Sequence, residues 1–216
     1  MLALAPKDYQ HPLWLHPSLV CSESQDPMSV FDDCYQEAAL NKLIVDANTV
    51  NLATVSADGQ PSNRMVTMKA YDGEGFVFFT NPTSHKGQDL TANPKVSLCF
   101  FWEALNRQIR VEGLVSFIGC AEADVYFARQ PREQQVRAWV SEQSKSLDNL
   151  RQLKRDVTRL TKEFGTLRIP RPPSWSGYHV KPHSIEFMHR EAFGLDKREI
   201  YHLAANHGWT HEFLSP

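Results

Sequence analysis

Between Asn51 and Gly113, short apolar runs alternate with polar positions and stop at turn residues, a pattern that predicts a succession of strands. The runs are NLATV (51–55), NRMVTMKAY (63–71), GFVFFTN (75–81), KVSLCFFW (95–102) and RQIRVEGLVSFI (107–118). They are rich in Val, Phe, Thr and Leu, and Asp58-Gly59, Asp72-Gly73, Asn81-Pro82 and Asn93-Pro94 punctuate them. Helical signals surround this block. Asp26-Pro27 reads as an N-cap followed by the first helical position, predicting a helix to about Asp46 that buries Phe31, Cys34, Ala38 and Leu43. Ser84 caps a short helix through Leu90, and residues 121–130 and 131–144 read as two further helical pieces. Leu147, Leu150, Leu153, Val157 and Leu160 recur at spacings of three and four, an amphipathic helix that Gly165 is placed to stop. After the Pro-rich connector 169–178, YHV, SIEFMHR, REIYHL and the segment around Trp209 predict more strands.

Many antiparallel strands with few long helices favour an α+β protein built on a β-barrel with flanking helices. Pro6, Pro12, Pro17 and Pro27 mark residues 1–27 as an extended arm, leaving 28–216 as one domain. A chain of 216 residues, 42% apolar and 22% charged, has room for that core. The net charge of −2 argues against nucleic acid as the main partner. No apolar run approaches a membrane span, and the N-terminus lacks a signal-peptide layout, so a cytoplasmic protein is expected. Cys21, Cys34, Cys99 and Cys120 form no C-x-x-C pair and are expected to be reduced thiols. Dinucleotide, P-loop and serine-hydrolase glycine motifs are absent.

Arg64, Lys69, Lys86, Arg107 and Gln108 lie in or beside the strands, where a cation needs water or an anion. They suggest a sheet whose mouth holds a phosphorylated ligand, against the plainer reading of cations on a wet face. Arg64 and Lys69 are five apart, so a regular strand sends them to opposite faces, and both can meet one ligand only if the strand bulges or one binds at an edge. His179 and His183 have metal-ligand spacing, but Pro182 forbids a regular helix there and no third ligand is evident, so no metal is expected. His202, His207 and His211 read as a solvated polar tail, and Trp102, Trp139, Trp175 and Trp209 as core or interface residues.

R-M-V-T-M-K (64–69), F-F-T-N (78–81), S-H-K (84–86), R-Q (107–108), A-W-V-S-E-Q-S (138–144) and I-E-F (185–187) together resemble the pyridoxine/pyridoxamine 5′-phosphate oxidase family, collinearly from about residue 28 to the C-terminus. The resemblance implies an FMN-binding split β-barrel, antiparallel and Greek-key-like, that is a homodimer with FMN at its interface. It places Arg64, Lys86, Gln143, Ser144 and Arg198 on the FMN phosphate or ribityl chain, or bracing them. Lys69, Thr80 and Gln108 would lie by the isoalloxazine ring. Met65, Val66, Thr67, Met68, Phe79, His85 and Met188 complete the cofactor set, His85 standing for a frequent arginine and Met188 for a frequent tryptophan. The implied reaction oxidises C4′ of a B6 vitamer phosphate to the aldehyde with flavin as hydride acceptor, while O2 becomes H2O2. Lys69 and Arg198 would stand nearest the reacting centre.

The substrate side departs from the family. Of the tyrosine, arginine and serine that grip the vitamin's phosphate there, only Tyr126 is kept, beside Gln130 and Gln134; Lys69 would also meet the substrate. The R-x-H-x-R motif reads Gly194-Leu195-Asp196-Lys197-Arg198. Losing one charge-assisted hydrogen bond weakens phosphate binding by about one to two powers of ten unless Arg129, Arg132 or Lys197 compensates. The resemblance therefore also admits a relative acting on another, non-phosphorylated or phenazine-like ring, or a flavin- or pyridoxal-phosphate-binding protein with little turnover.

Overall fold

The structure, a computed structural model, describes residues 26–141, 143–146 and 149–216, so the expected N-terminal arm, Cys21 and Leu147 lie outside the described residues. Among these residues eight strands form one antiparallel sheet: β1 (Thr49–Val55), β2 (Pro61–Asp72), β3 (Gly75–Thr80), β4 (Lys95–Trp102), β5 (Arg107–Phe117), β6 (Ser176–His189), β7 (Lys197–Leu203) and β8 (Trp209–Leu214). Their order is β3-β2-β1-β4-β5-β6-β7-β8, and pairing of β3 with β6 closes the first six into a barrel. Among the described residues five α-helices flank it: α1 (Pro27–Leu40), α2 (His85–Ala92), α3 (Cys120–Ala128), α4 (Arg132–Val140) and α5 (Leu150–Phe164). This is the expected α+β split barrel.

YHV and SIEFMHR, expected as separate strands, are one strand. The first half of β6 pairs with β3 (Val180 opposite Phe76) and the second half with β7 (Ser184 opposite His202). Pro182 sits at the change of neighbour, and the pairing of β5 with β6 shifts register there, between Glu112 and Gly113. His202 and His211 belong to β7 and β8 rather than to a tail; the His211 ring stacks on Tyr201 at 4.6 Å.

The Asp26 carboxylate accepts from the Met28 and Ser29 amides at 3.1 and 3.2 Å, capping α1 as the sequence predicts. The helix ends at Leu40, short of the expected Asp46, and Leu43 is 65% exposed. Asp46 is a turn residue instead: its carboxylate accepts from the Asn48 amide at 3.0 Å and the Thr49 hydroxyl at 2.7 Å, local bonds that compete with helix. Phe31, Cys34 and Ala38 face the barrel core, where the Phe31 ring meets Phe76 at 4.8 Å and Phe100 at 5.1 Å. Burying a ring of that size contributes about 1.5–3 kcal/mol, so this face fixes α1 on the barrel. Trp102 is core, whereas Trp139 is exposed.

Candidate functional site

Met68 lies opposite Phe78 and Ala70 opposite Val77, so Lys69 is the extra residue of a β-bulge. Arg64 and Lys69 nevertheless line one groove of ≈ 700 Å³, because it wraps around β2 and takes consecutive residues of both strand parities from Ser62 to Thr67. Met65, Val66 and Thr67 line it from the same strand, Phe79 and Thr80 from β3, His85 and Lys86 from α2, and Gln143 and Ser144 from the segment after α4. Ser144 holds φ at 70°, a conformation uncommon for a residue with a Cβ. Met68 is a correction to the sequence reading at the level of the side chain: strand alternation turns it into the core, at 3% exposure.

Charge in the groove is one-sided. Among the described residues its lining holds Arg64, Lys69 and Lys86 and no carboxylate. Asp89, buried beneath, is 3.8 Å from the Arg64 guanidinium and accepts from the Thr54 hydroxyl at 2.6 Å. Thr54 in turn accepts from Arg64 at 2.6 Å, so the guanidinium is oriented as well as partly neutralised. Burial pulls the Arg64 pKa down while Asp89 pulls it back. Lys86 is only 7% exposed, and its ammonium donates to two neutral oxygens, Thr80 Oγ1 at 3.2 Å and Gln143 Oε1 at 3.1 Å. Burial, and then the Arg64 charge, lower its pKa. A buried ammonium beside a guanidinium, with no carboxylate in ion-pair reach among the described residues, fits a dianionic phosphate; charge-assisted bonds then replace the lost hydration.

Gln108, Met188 and Arg198 are not brought to this groove within one chain. They stand on one rung across β5, β6 and β7, Gln108 opposite Met188 and Met188 opposite Arg198. From β2 that rung is reached across β1 and β4. Glu186, buried below the rung, pairs with Arg110 and accepts from Arg198 Nε at 3.0 Å, fixing the second guanidinium.

A second cavity, ≈ 840 Å³, shares Thr67, Thr80 and Gln143 with the groove and opens between the barrel, α4 and α5. Gln130 and Gln134 line it, with Trp175 and Phe127 as apolar wall. Tyr126 does not line it; its ring lies 4.9 Å from Phe79, which stacks on Trp175 at 4.2 Å, an aromatic partition between groove and cavity. The three compensating cations considered from sequence lie elsewhere. Arg132 donates to the Gly165 and Leu167 carbonyls, Lys197 pairs with Glu199, and exposed Arg129 is not in the lining. Thr54 and Asp89, which brace Arg64, and Arg137 and Lys154, which line the second cavity, are not among the residues the sequence singles out. Arg137 had a signal, lying three residues after Gln134 on one helical face.

Residues 36–163 match the family model described as pyridoxamine 5′-phosphate oxidase, and residues 175–216 match that of the pyridoxine 5′-phosphate oxidase C-terminal dimerisation region. A pyridoxine/pyridoxamine 5′-phosphate oxidase of Caulobacter vibrioides is 42% identical over 93% of this chain and 88% of its own. One from Myxococcus xanthus is 40% identical over 95% and 97%. Among solved structures, PhzG from Burkholderia lata, in complex with tetrahydrophenazine-1-carboxylic acid, superposes with a TM-score of 0.85 at 25% identity, covering 90% of this chain and 94% of that one. A pyridoxamine 5′-phosphate oxidase-related protein of Nostoc punctiforme shares the fold at TM-score 0.71 and 16% identity.

Proposed function

The chain belongs to the pyridoxine/pyridoxamine 5′-phosphate oxidase family, and from that premise we propose that it is an FMN-dependent oxidase forming pyridoxal 5′-phosphate. The observation that carries the cofactor assignment is Lys86, a buried ammonium among neutral oxygens beside Arg64 in a groove lined by no carboxylate among the described residues. Arg64, Lys86 and the Gln143–Ser144 turn would hold the FMN phosphate and ribityl chain, with Lys69 and Thr80 nearer the ring. Bound FMN would supply the hydride acceptor. In the balanced reaction the C4′ alcohol of pyridoxine 5′-phosphate becomes an aldehyde as O2 becomes H2O2; the amine also takes up water and releases ammonia. The chain's own part is alignment and fixed positive charge, with no protein nucleophile.

Titration of flavin fluorescence should show FMN bound far more tightly than riboflavin, and equal affinities would sink the cofactor assignment. The pH dependence has a definite sign. A phosphate favours charged Lys86, so the bound-state pKa lies above the free-state one, which burial has already lowered from 10.5. FMN affinity is therefore full below the free-state pKa and falls as pH rises through it, while riboflavin affinity stays flat. Turnover of pyridoxine and pyridoxamine 5′-phosphates, followed as peroxide, tests the reaction itself.

The same reading makes the protein a homodimer. The rung of Gln108, Met188 and Arg198 lines no part of the groove: β6 meets β3 only through Ser176–Val180, and Met188 lies further along that strand by about 26 Å, so a second copy is needed to bring the rung to the groove. Exposed Leu43, Val45, Met65 and Phe101 offer that copy an apolar face. Light scattering should give twice the chain mass; a monomer fully loaded with FMN would refute the arrangement.

Gln130, Gln134, Gly194 and Asp196, where the family carries Arg, Ser, Arg and His, favour a second reading: oxidation of another ring compound, as the PhzG likeness allows. Peroxide formation with neither vitamer phosphate, from an FMN-loaded protein, would favour it.

A further inference from the structure

Gln130, Gln134, Arg137 and Lys154 share the lining of the cavity beside the flavin groove. Gln134, Arg137, Ala138 and Ser141 follow one another at spacings of three, one and three, so a single face of α4 and its C-terminal end supplies one wall. Lys154 stands on the facing wall from α5. Among the described residues the lining contains these two cations and no Asp or Glu. Neither cation takes part in a salt bridge among those residues; the ion pairs of α5 belong to Arg159 with Asp156 and Glu163. Phe127, Val157 and Trp175 supply apolar wall around them. Two cations over an apolar wall, without a compensating acid, attract a flat apolar molecule that carries an anionic group.

We propose that Arg137, assisted by Lys154, grips the anionic oxygens of the substrate, taking over one helical turn further along the role that Gln130 and Gln134 cannot fill. The assignment rests on the flavoenzyme reading above and adds the substrate class: an aromatic ring bearing a phosphate monoester or a carboxylate. A guanidinium forks onto either group with two parallel N–H bonds, which neutral amides cannot match in charge. Arg137 also sits in the last turn of α4, where any cation is favoured by the helix dipole. That alternative role is purely structural, and it would not distinguish one ligand from another.

The test is equilibrium binding of two ligand pairs to the FMN-loaded protein and to its Arg137→Ala and Arg137→Lys variants. The pairs are pyridoxal 5′-phosphate with pyridoxal, and phenazine-1-carboxylate with phenazine. Arg137→Ala should lose about tenfold in affinity for the anionic member of one pair, with its neutral member unchanged. Arg137→Lys should recover part of the loss, and added salt should shrink the difference because the cavity is open to solvent. The pair that responds identifies the source of the anion. An unchanged ratio of anionic to neutral affinity in both pairs, with FMN still bound, overturns the inference and leaves the flavin reading intact. Equal loss for anionic and neutral ligands also overturns it, since that is the structural role. Failure of wild-type protein to bind FMN at all would instead remove the parent reading.

Discussion

Lys86→Met is expected to make the ligand-free protein more stable and the FMN complex much weaker. The two effects share one cause. In the free protein the Lys86 side chain is largely buried and, among the described residues, its ammonium donates only to Thr80 and Gln143, so its charge is poorly solvated. A methionine of similar length removes that charge, and relief of such a penalty is worth about 1–3 kcal/mol. Gln143 keeps a donor in the Thr80 hydroxyl at 2.9 Å, so the loss orphans no acceptor there. Against a phosphate the balance reverses, because the same ammonium then meets a dianion in a groove lined by no carboxylate among the described residues. Loss of one or two charge-assisted bonds at about 1.5–3 kcal/mol each corresponds to a fall in FMN affinity of roughly two powers of ten. Riboflavin affinity should change little, and the alkaline fall in FMN affinity should flatten. Urea unfolding and flavin titration on one preparation measure both signs. A variant that is less stable and still prefers FMN by the wild-type margin would show that Lys86 is a structural residue.

How far the groove was legible in the sequence can be stated residue by residue. The five strands from β1 to β5, the Asp26 and Ser84 caps and the Gly165 stop were written in local chemistry, and each appears where turn and cap residues put it. The meeting of Arg64 with Lys69 was not. Parity along a strand separates them, and they meet one groove because it wraps around β2 and takes side chains of both parities, which no strand pattern announces. The end of α1 was misread because Leu43 and Ile44 prolong the apolar rhythm past Leu40, while the Asp46 carboxylate spends its acceptors on the Asn48–Thr49 turn. Asp89 escaped notice for a similar reason. Nothing in Q-D-L announces a buried carboxylate, and its role appears only when β1 delivers Thr54 to it. The three cations offered as compensators were chosen by nearness in sequence, whereas the cavity takes Arg137 and Lys154 from the facing sides of two helices.

Arg110→Ala and Arg198→Ala are each expected to cost little stability and together to cost much more than their sum. Glu186 is the reason. Its side chain is 4% exposed, whereas those of Arg110 and Arg198 are 48% and 27% exposed, so the carboxylate carries the burial and the guanidiniums can return to water. After either single change one arginine still faces Glu186, and the loss should stay near 1 kcal/mol, as for partly exposed pairs. After both, the buried charge has no counter-ion, a situation that costs about 3–5 kcal/mol. The coupling should therefore exceed about 1 kcal/mol in a double-mutant cycle read from urea unfolding. Energies that add to within about 0.5 kcal/mol would mean that Glu186 does not depend on this pair. The redundancy has a functional side. With Arg110 also holding Glu186, the Arg198 guanidinium extends beyond the rung, where its Nη1 donates to the Ser215 carbonyl at 2.9 Å. Arg198→Ala should thus lower FMN affinity in the dimer with the fold kept, while Arg110→Ala should leave flavin binding close to wild type.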